Sequence, residues 1–191
     1  NAGYGLYGPV EDLSMEKAQQ QFEVNVYGVA RLTKKVLPYM RKQKDGLIIN
    51  TSSMGGKIYT PLGAWYHASK HAIEGFSDCL RMEVKEFGIK VVVLEPGAIN
   101  TGFNAAVGQN FSHESKNGAY SRLVNGYINA MENNPTPGSN PEVISRTVLK
   151  IINARKPKTR YLVGRGAKLL VGIRRIFGDK FFDRMMLMAF R

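Results

Sequence analysis

Apolar positions in the first forty residues recur at helical spacing. Phe22, Val26, Val29, Leu32, Val36 and Leu37 fall on one face of a helix and predict a buried stripe. Ser14 suits the start of that helix, since its hydroxyl can accept a backbone N–H three residues on; Lys17 stands where a full capping box would carry an acid. The periodicity runs through Met40, and Asp45-Gly46 breaks it. Leu47-Ile48-Ile49-Asn50 is then a short apolar run of the kind found in central parallel strands. A glycine loop at Gly55-Gly56 leads into a second helix, predicted from Ala64 to Phe87 with Gly88 at its C-terminal cap. Ile89 to Leu94 predicts a further buried strand, stopped by Glu95-Pro96-Gly97. Strand, helix, strand in this order implies a right-handed crossover in a parallel sheet, the α/β class.

From Thr101 the pattern loosens, with Asn, Gly, Ser and Pro plentiful and a loop predicted over Asn133 to Pro141. A segment this irregular inside a domain suits a substrate lid, placed at about 101–140. Pro141-Glu142 opens another helix through Asn153, and Arg160 to Val163 suits a last short strand. Lys168 to Phe190 forms two amphipathic stretches divided by Gly178. The expected organisation is one α/β domain over 1–165 and a helical tail over 166–191.

Composition narrows the class. With 43% hydrophobic and 22% charged residues, the 191-residue chain has the profile of a globular domain rather than a disordered one. Its apolar runs fall far short of the roughly 20 residues a membrane-spanning helix needs. The single cysteine, Cys79, lies in an apolar-periodic segment and is expected to be a small buried core residue in a reducing compartment, which points to the cytoplasm. The opening Asn1-Ala2-Gly3 has no initiator methionine and no signal-peptide pattern; it reads as a strand end running into a loop, so the chain is expected to begin in mid-domain. The net charge of +12 is concentrated in Arg31 to Lys44 and Arg155 to Arg191. Such an excess permits contact with phosphates, lipid surfaces or nucleic acid without choosing among them.

Candidate chemistry lies in Tyr66-His67-Ala68-Ser69-Lys70. A spacing of four puts Tyr66 and Lys70 on one helical face, one turn apart, where an ammonium favours the phenolate of a group whose free pKa is about 10. Ser53 lies thirteen positions before Tyr66, past the end of the apolar strand, where open α/β sheets place ligand-binding groups. Asn25 is an amide inside an apolar-periodic helix, costly unless it is hydrogen-bonded or useful. His67, His71 and His113 show no metal-ligand spacing; His67 suits a helix face or pocket rim. Trp65 fits either the mouth of a pocket or a packed surface. Phe181, Phe182, Met185, Met186, Met188 and Phe190 form an apolar face that suits core or lid packing, with membrane contact as the alternative.

Taken together, Asn1-Ala2-Gly3, Asn25-Val26-Tyr27-Gly28, Ile49-Asn50-Thr51-Ser52-Ser53, Tyr66-His67-Ala68-Ser69-Lys70 and Pro96-Gly97-Ala98-Ile99-Asn100-Thr101 resemble, in order and spacing, the motifs of short-chain dehydrogenases/reductases. The resemblance is close over residues 1 to 103 and holds only in outline beyond. It implies a Rossmann-like doubly wound parallel sheet, present in its C-terminal portion, with a helical substrate lid and C-terminal helices. It further implies an NAD- or NADP-dependent oxidoreductase that interconverts an alcohol and a carbonyl compound. Tyr66 would be the acid-base, Lys70 would lower its pKa and hold the nicotinamide ribose, Ser53 would orient the reacting carbonyl, and Asn25 would hold a water linking Lys70 to solvent. Ser52 would be structural. Asn1, Ala2 and Gly3 would flank the adenine-ribose half, while Pro96, Gly97, Ile99 and Thr101, with Tyr66 and Lys70, would reach the cofactor. The family's glycine-rich phosphate-binding turn is expected upstream of Asn1.

The resemblance also implies a homo-oligomer. An apolar lid carrying Phe103, Phe111, Tyr120 and Leu123 points to a lipophilic substrate of steroid, retinoid or long-chain type. Two further classes compete: a non-catalytic binding protein on the same scaffold, and a basic protein attached to a membrane surface through its tail. No nucleic-acid motif is present, so a nucleic-acid partner is not expected.

Overall fold

The computed structural model describes residues 1–103, 107, 111–133 and 137–190. The first predicted helix is built in two pieces. Ser14 accepts the Lys17 N–H at 3.4 Å and caps α1 (Met15–Phe22). One wide turn with π-helical hydrogen bonding, Glu23–Tyr27, separates it from α2 (Gly28–Gln43), and this turn carries the buried Asn25. Wide turns of this kind recur at functional positions in helices. The expected stripe needs correction: Phe22, Val26, Val29, Val36 and Leu37 are half-buried, and Leu32 is 64% exposed. Helix α2 packs on its neighbours through Leu37 and Met40, which leaves Leu32 turned to solvent.

Three parallel strands, β1 (Gly46–Thr51), β2 (Ile89–Pro96) and β3 (Arg160–Val163), form a sheet in that order. Their side chains alternate between two cores, as the two-residue period of a strand requires. Ile48, Ile89 and Val91 face α3 (Ala64–Glu83) with Leu80 and Val84. Leu47, Ile49, Val92 and Leu94 face the opposite side with Ile144, Val148 and Ile151 of α6 (Glu142–Ile152). Both faces of β2 are therefore covered, which is why its sequence is a continuous apolar run. This is the doubly wound α/β arrangement.

Helix α3 ends at Glu83, earlier than its periodicity predicts. A short 3₁₀ turn, Lys85–Phe87, follows, and Gly88 closes it at φ +72, where an added Cβ would strike the Lys44 carbonyl oxygen. Cys79 is a second correction. It is exposed, because the buried face of α3 runs through Tyr66, Lys70, Ile73, Ser77 and Leu80, and Cys79 lies off that face.

The segment expected to be irregular holds two helices, α4 (His113–Asn117) and α5 (Ser121–Asn133), the latter burying Val124 and Tyr127. The loop predicted over 133–141 falls partly outside the described residues; within it, Ser139 bridges to Ile99. The tail is α7 (Ala167–Ala189), interrupted at Gly178, whose φ 73 and ψ −178 lie outside any helix. Phe182 and Met186 pack on Ile58, and Phe190 packs against the cluster around Tyr66. Phe181 and Met188 remain exposed. Among the described residues no helix is long and apolar enough to cross a membrane.

Candidate active site

The carboxyl ends of β1 and β2, the start of α3 and the N-terminal segment enclose a cavity of about 600 Å³. Asn1, Gly3, Ser53, Tyr66, Lys70, Pro96, Gly97, Ile99 and Thr101 all line it. Ala2 and Asn25 do not. The long α3 explains the pairing of Tyr66 with Lys70: its one-turn spacing points both into the cavity, 8% and 6% exposed, with the Lys70 ammonium 5.9 Å from the centre of the Tyr66 ring.

Each group is oriented by neighbours. Lys70 Nζ donates to the Thr51 carbonyl at 3.1 Å, which spends one of its three protons. Burial draws its pKa down from the usual lysine range to about 8, against the opposing pull of Glu74 one turn on. The Tyr66 phenol stands above its ordinary value because it is buried, and a hydrogen bond with the Ser53 hydroxyl pulls the other way. Ser53 begins the short 3₁₀ turn Met54–Gly56, accepts the Gly55 N–H at 3.0 Å and reaches the Pro96 carbonyl at 3.4 Å. Ser52 instead donates to the Lys70 carbonyl and is held under Gly56, a structural position.

Asn25 stands behind the cavity wall and clamps it. Its amide donates to the Tyr4 carbonyl at 2.9 Å and to Ser69 Oγ at 3.0 Å, and its oxygen accepts the Tyr4 N–H at 3.0 Å. Ser69 in turn donates to the Tyr66 carbonyl. The amide side chain is thereby committed to tying the N-terminal segment to α3. Gly3 has no side chain where a Cβ would lie 3.1 Å from Asn25 Oδ1 and 3.6 Å from Lys70 Nζ, so a ligand can approach the ammonium there. The Pro96-Gly97 turn is equally tight, since a Cβ at Gly97 would strike the Arg165 carbonyl oxygen.

Sequence reasoning named Phe103 but missed Tyr7 and Tyr127, with which Phe103 forms an aromatic wall. Tyr7 and Phe103 lie against Tyr66 with ring centres 5.6 and 5.4 Å away, and Tyr127 continues the stack from Tyr7 at 5.7 Å. His67 lines the cavity and is largely buried: Nδ1 meets the Gly55 carbonyl and Nε2 the Thr60 N–H, and burial lowers its pKa to about 4. It stays neutral and positions the Ser53–Gly56 turn. Trp65 packs edge-on against Phe22, outside the cavity lining. Tyr7 and Tyr127 lie in different segments from Tyr66, so no local spacing could have signalled them. Among the described residues no cluster of His, Cys, Asp and Glu could hold a metal.

A Rossmann-like sheet with Tyr66, Lys70 and a serine at the carboxyl ends of its strands defines a dehydrogenase-like class. The family model described as short chain dehydrogenase matches residues 1–111, and the chain belongs to that family. It is 37% identical over 179 residues to YusZ, an uncharacterized oxidoreductase of Bacillus subtilis, covering 93% of this chain and 64% of the relative. It is 38% identical over 165 residues to the 3-ketodihydrosphingosine reductase of Bacteroides thetaiotaomicron, covering 86% of this chain and 61% of the relative. A short-chain dehydrogenase of Streptomyces avermitilis superposes with a TM-score of 0.74 at 30% identity, covering 90% of this chain and 61% of the other. A gluconate 5-dehydrogenase from Burkholderia cenocepacia, solved with NADP and tartrate, gives a TM-score of 0.54 at 27% identity over 56% of this chain and 42% of the other. The chain thus spans less than two thirds of the length of these relatives.

Proposed function

We propose that this chain carries the catalytic part of an NAD- or NADP-dependent oxidoreductase that interconverts a secondary alcohol and the corresponding ketone. The observation that carries the reading is the convergence of Tyr66, Lys70 and Ser53 on one cavity whose far wall is the Pro96–Thr101 segment. The residues fit a nicotinamide nucleoside: Gly3 leaves room beside the Lys70 ammonium, whose remaining protons suit the hydroxyls of a ribose. The NADP of the gluconate 5-dehydrogenase structure supports the cofactor class. When bound, the nicotinamide supplies or accepts the hydride.

The protein's own part is proton chemistry and orientation. Ser53 and Tyr66 hydrogen-bond the substrate oxygen, and the Tyr66 hydroxyl gives or takes its proton. Lys70, one turn on, stabilises the phenolate that forms. Its charge is not compensated by a direct ion pair among the described residues. The Asn25–Tyr4–Ser69 clamp positions the N-terminal wall beside Lys70. Tyr7, Phe103 and Tyr127 surround Tyr66 with apolar surface, with Phe111, Val107 and Phe190 beyond, which favours a lipophilic carbonyl substrate. The reductase of Bacteroides thetaiotaomicron, named for a long-chain ketone, agrees with that direction. Exposed Tyr27 at the end of the wide turn, with Leu32 and Tyr39 on α2, supports a homo-oligomer.

A non-catalytic scaffold has no physical need to bury a lysine beside a tyrosine at the mouth of an apolar pocket. The test is reduction of a panel of long-chain and cyclic ketones by NADH or NADPH, followed by loss of reduced-nicotinamide absorbance. Reduction that disappears in Tyr66→Phe supports the proposal; equal activity in that variant overturns it.

A further inference from the structure

A second cavity, about 910 Å³, lies beside β3 and shares no lining residue with the first. Seven cationic side chains and one carboxylate line it. Three of the cations are spoken for. Arg160 pairs with Glu74, Asp78 and Glu95; Lys57 pairs with Glu74 at 2.8 Å; Arg174 is held by Asp179 and the Lys57 carbonyl. The other four, Lys150, Lys158, Lys168 and Arg175, form no ion pair among the described residues.

These four come from three separate elements: α6, the turn before β3, and the first half of α7, where Lys168 and Arg175 are seven residues apart and share a helical face. Three successive elements of one basic stretch thus bring like charges to one hollow. Isolated exposed lysines tend to separate; convergence on a concavity concentrates positive potential. Consecutive residues Arg160 to Val163 all line the cavity, so β3 is met along its edge. As the outer strand it has one neighbour among the described residues, β2, and its other edge offers backbone N–H donors. The lining carboxylate, Glu95, is tied to Arg160 at 3.3 Å and so does not neutralise the four free cations.

We propose that this cavity is a binding site for a multiply charged phosphate group, separate from the nicotinamide pocket and independent of the oxidoreductase reading. The ligand has at least two negative charges held by Lys158, Lys168 and Arg175, with Lys150 closing the α6 side. The phosphate is carried either by a soluble ligand or by an anionic lipid headgroup; the chemistry is shared.

Tripolyphosphate, titrated calorimetrically into the chain, is the probe. Saturable binding that weakens steeply with salt is expected. The triple variant Lys158→Glu/Lys168→Glu/Arg175→Glu should lose at least about tenfold in affinity, while Lys70→Met, in the other cavity, should bind as the parent does. All three substituted side chains are exposed, so folding is preserved; the milder Lys158→Gln/Lys168→Gln variant, checked by thermal unfolding, should show a smaller loss in the same direction. A parallel arm sediments the protein with vesicles of phosphatidylcholine, with and without phosphatidate. Capture only by phosphatidate vesicles, reversed by tripolyphosphate, assigns the headgroup; tripolyphosphate binding without capture assigns a soluble ligand. Absence of both, an unaffected triple variant, or loss of binding in Lys70→Met overturns the proposal. So does binding that weakens with protein concentration as a dimer forms, since a second copy would then occupy the β3 edge.

Discussion

At the scale of single residues, the site rests on polar groups removed from water. Tyr66→Phe keeps the ring that packs on Tyr7 and Phe103 and removes only the ionisable oxygen. Turnover should fall at least about 10²-fold, the lower end of general acid-base contributions, with cofactor affinity nearly unchanged, as steady-state kinetics and titration would measure. Lys70 makes a pH prediction. Its folded pKa of about 8 lies below the ordinary lysine value, so above pH 8 the unfolded chain binds a proton that the folded chain has released. Stability must then rise with pH from about 8 until the lysine of the unfolded chain titrates in turn, near 10.4. Below that window the buried ammonium is a standing cost. Lys70→Met should flatten that part of the profile of melting temperature against pH; an unchanged slope would show that Lys70 is not the titrating group.

Among the elements, α7 depends on one backbone conformation. Gly178 combines positive φ with extended ψ, a region open essentially to glycine alone, and a Cβ there meets no atom within 4 Å. Gly178→Ala therefore carries a purely backbone cost of about 1–3 kcal/mol, readable as a lower melting temperature. Phe182, fully buried against Ile58 and Tyr59, anchors the second half; Phe182→Ala should cost about 3–5 kcal/mol.

Across the whole molecule, a charged layer ties β2 and β3 to α3. Arg160 meets Glu74, Asp78 and Glu95 together, so Arg160→Met strands carboxylates of which two are almost fully buried. A loss of about 2–3 kcal/mol is expected in denaturant titration, less than for a fully buried pair because the guanidinium retains some solvent contact. Burial and the neighbouring Glu74 carboxylate raise Glu95 to about 7. With its folded pKa above the unfolded one, its contribution to stability is complete below about pH 4.3 and is lost as pH climbs toward 7. Glu95→Gln should remove that decline.

What the chain states by itself is what short-range physics controls. The apolar run Ile89 to Leu94, the one-turn spacing of Tyr66 and Lys70, the stop at Pro96-Gly97 and the break at Gly178 depend on neighbours within a few residues, and each appears where its local pattern places it. Sequence reading failed where distance along the chain mattered. Cys79 and Leu32 belong to apolar-looking segments, yet their exposure depends on which face of a helix the sheet covers. Helix α5 forms in polar, glycine-bearing sequence because Val124 and Tyr127 bury against Tyr7 and Tyr66. The aromatic wall and the Asn25 clamp on Tyr4 and Ser69 join segments tens of residues apart. Folding brings those segments together because burial and hydrogen bonding repay the entropy of ordering them, a balance that only tertiary packing decides.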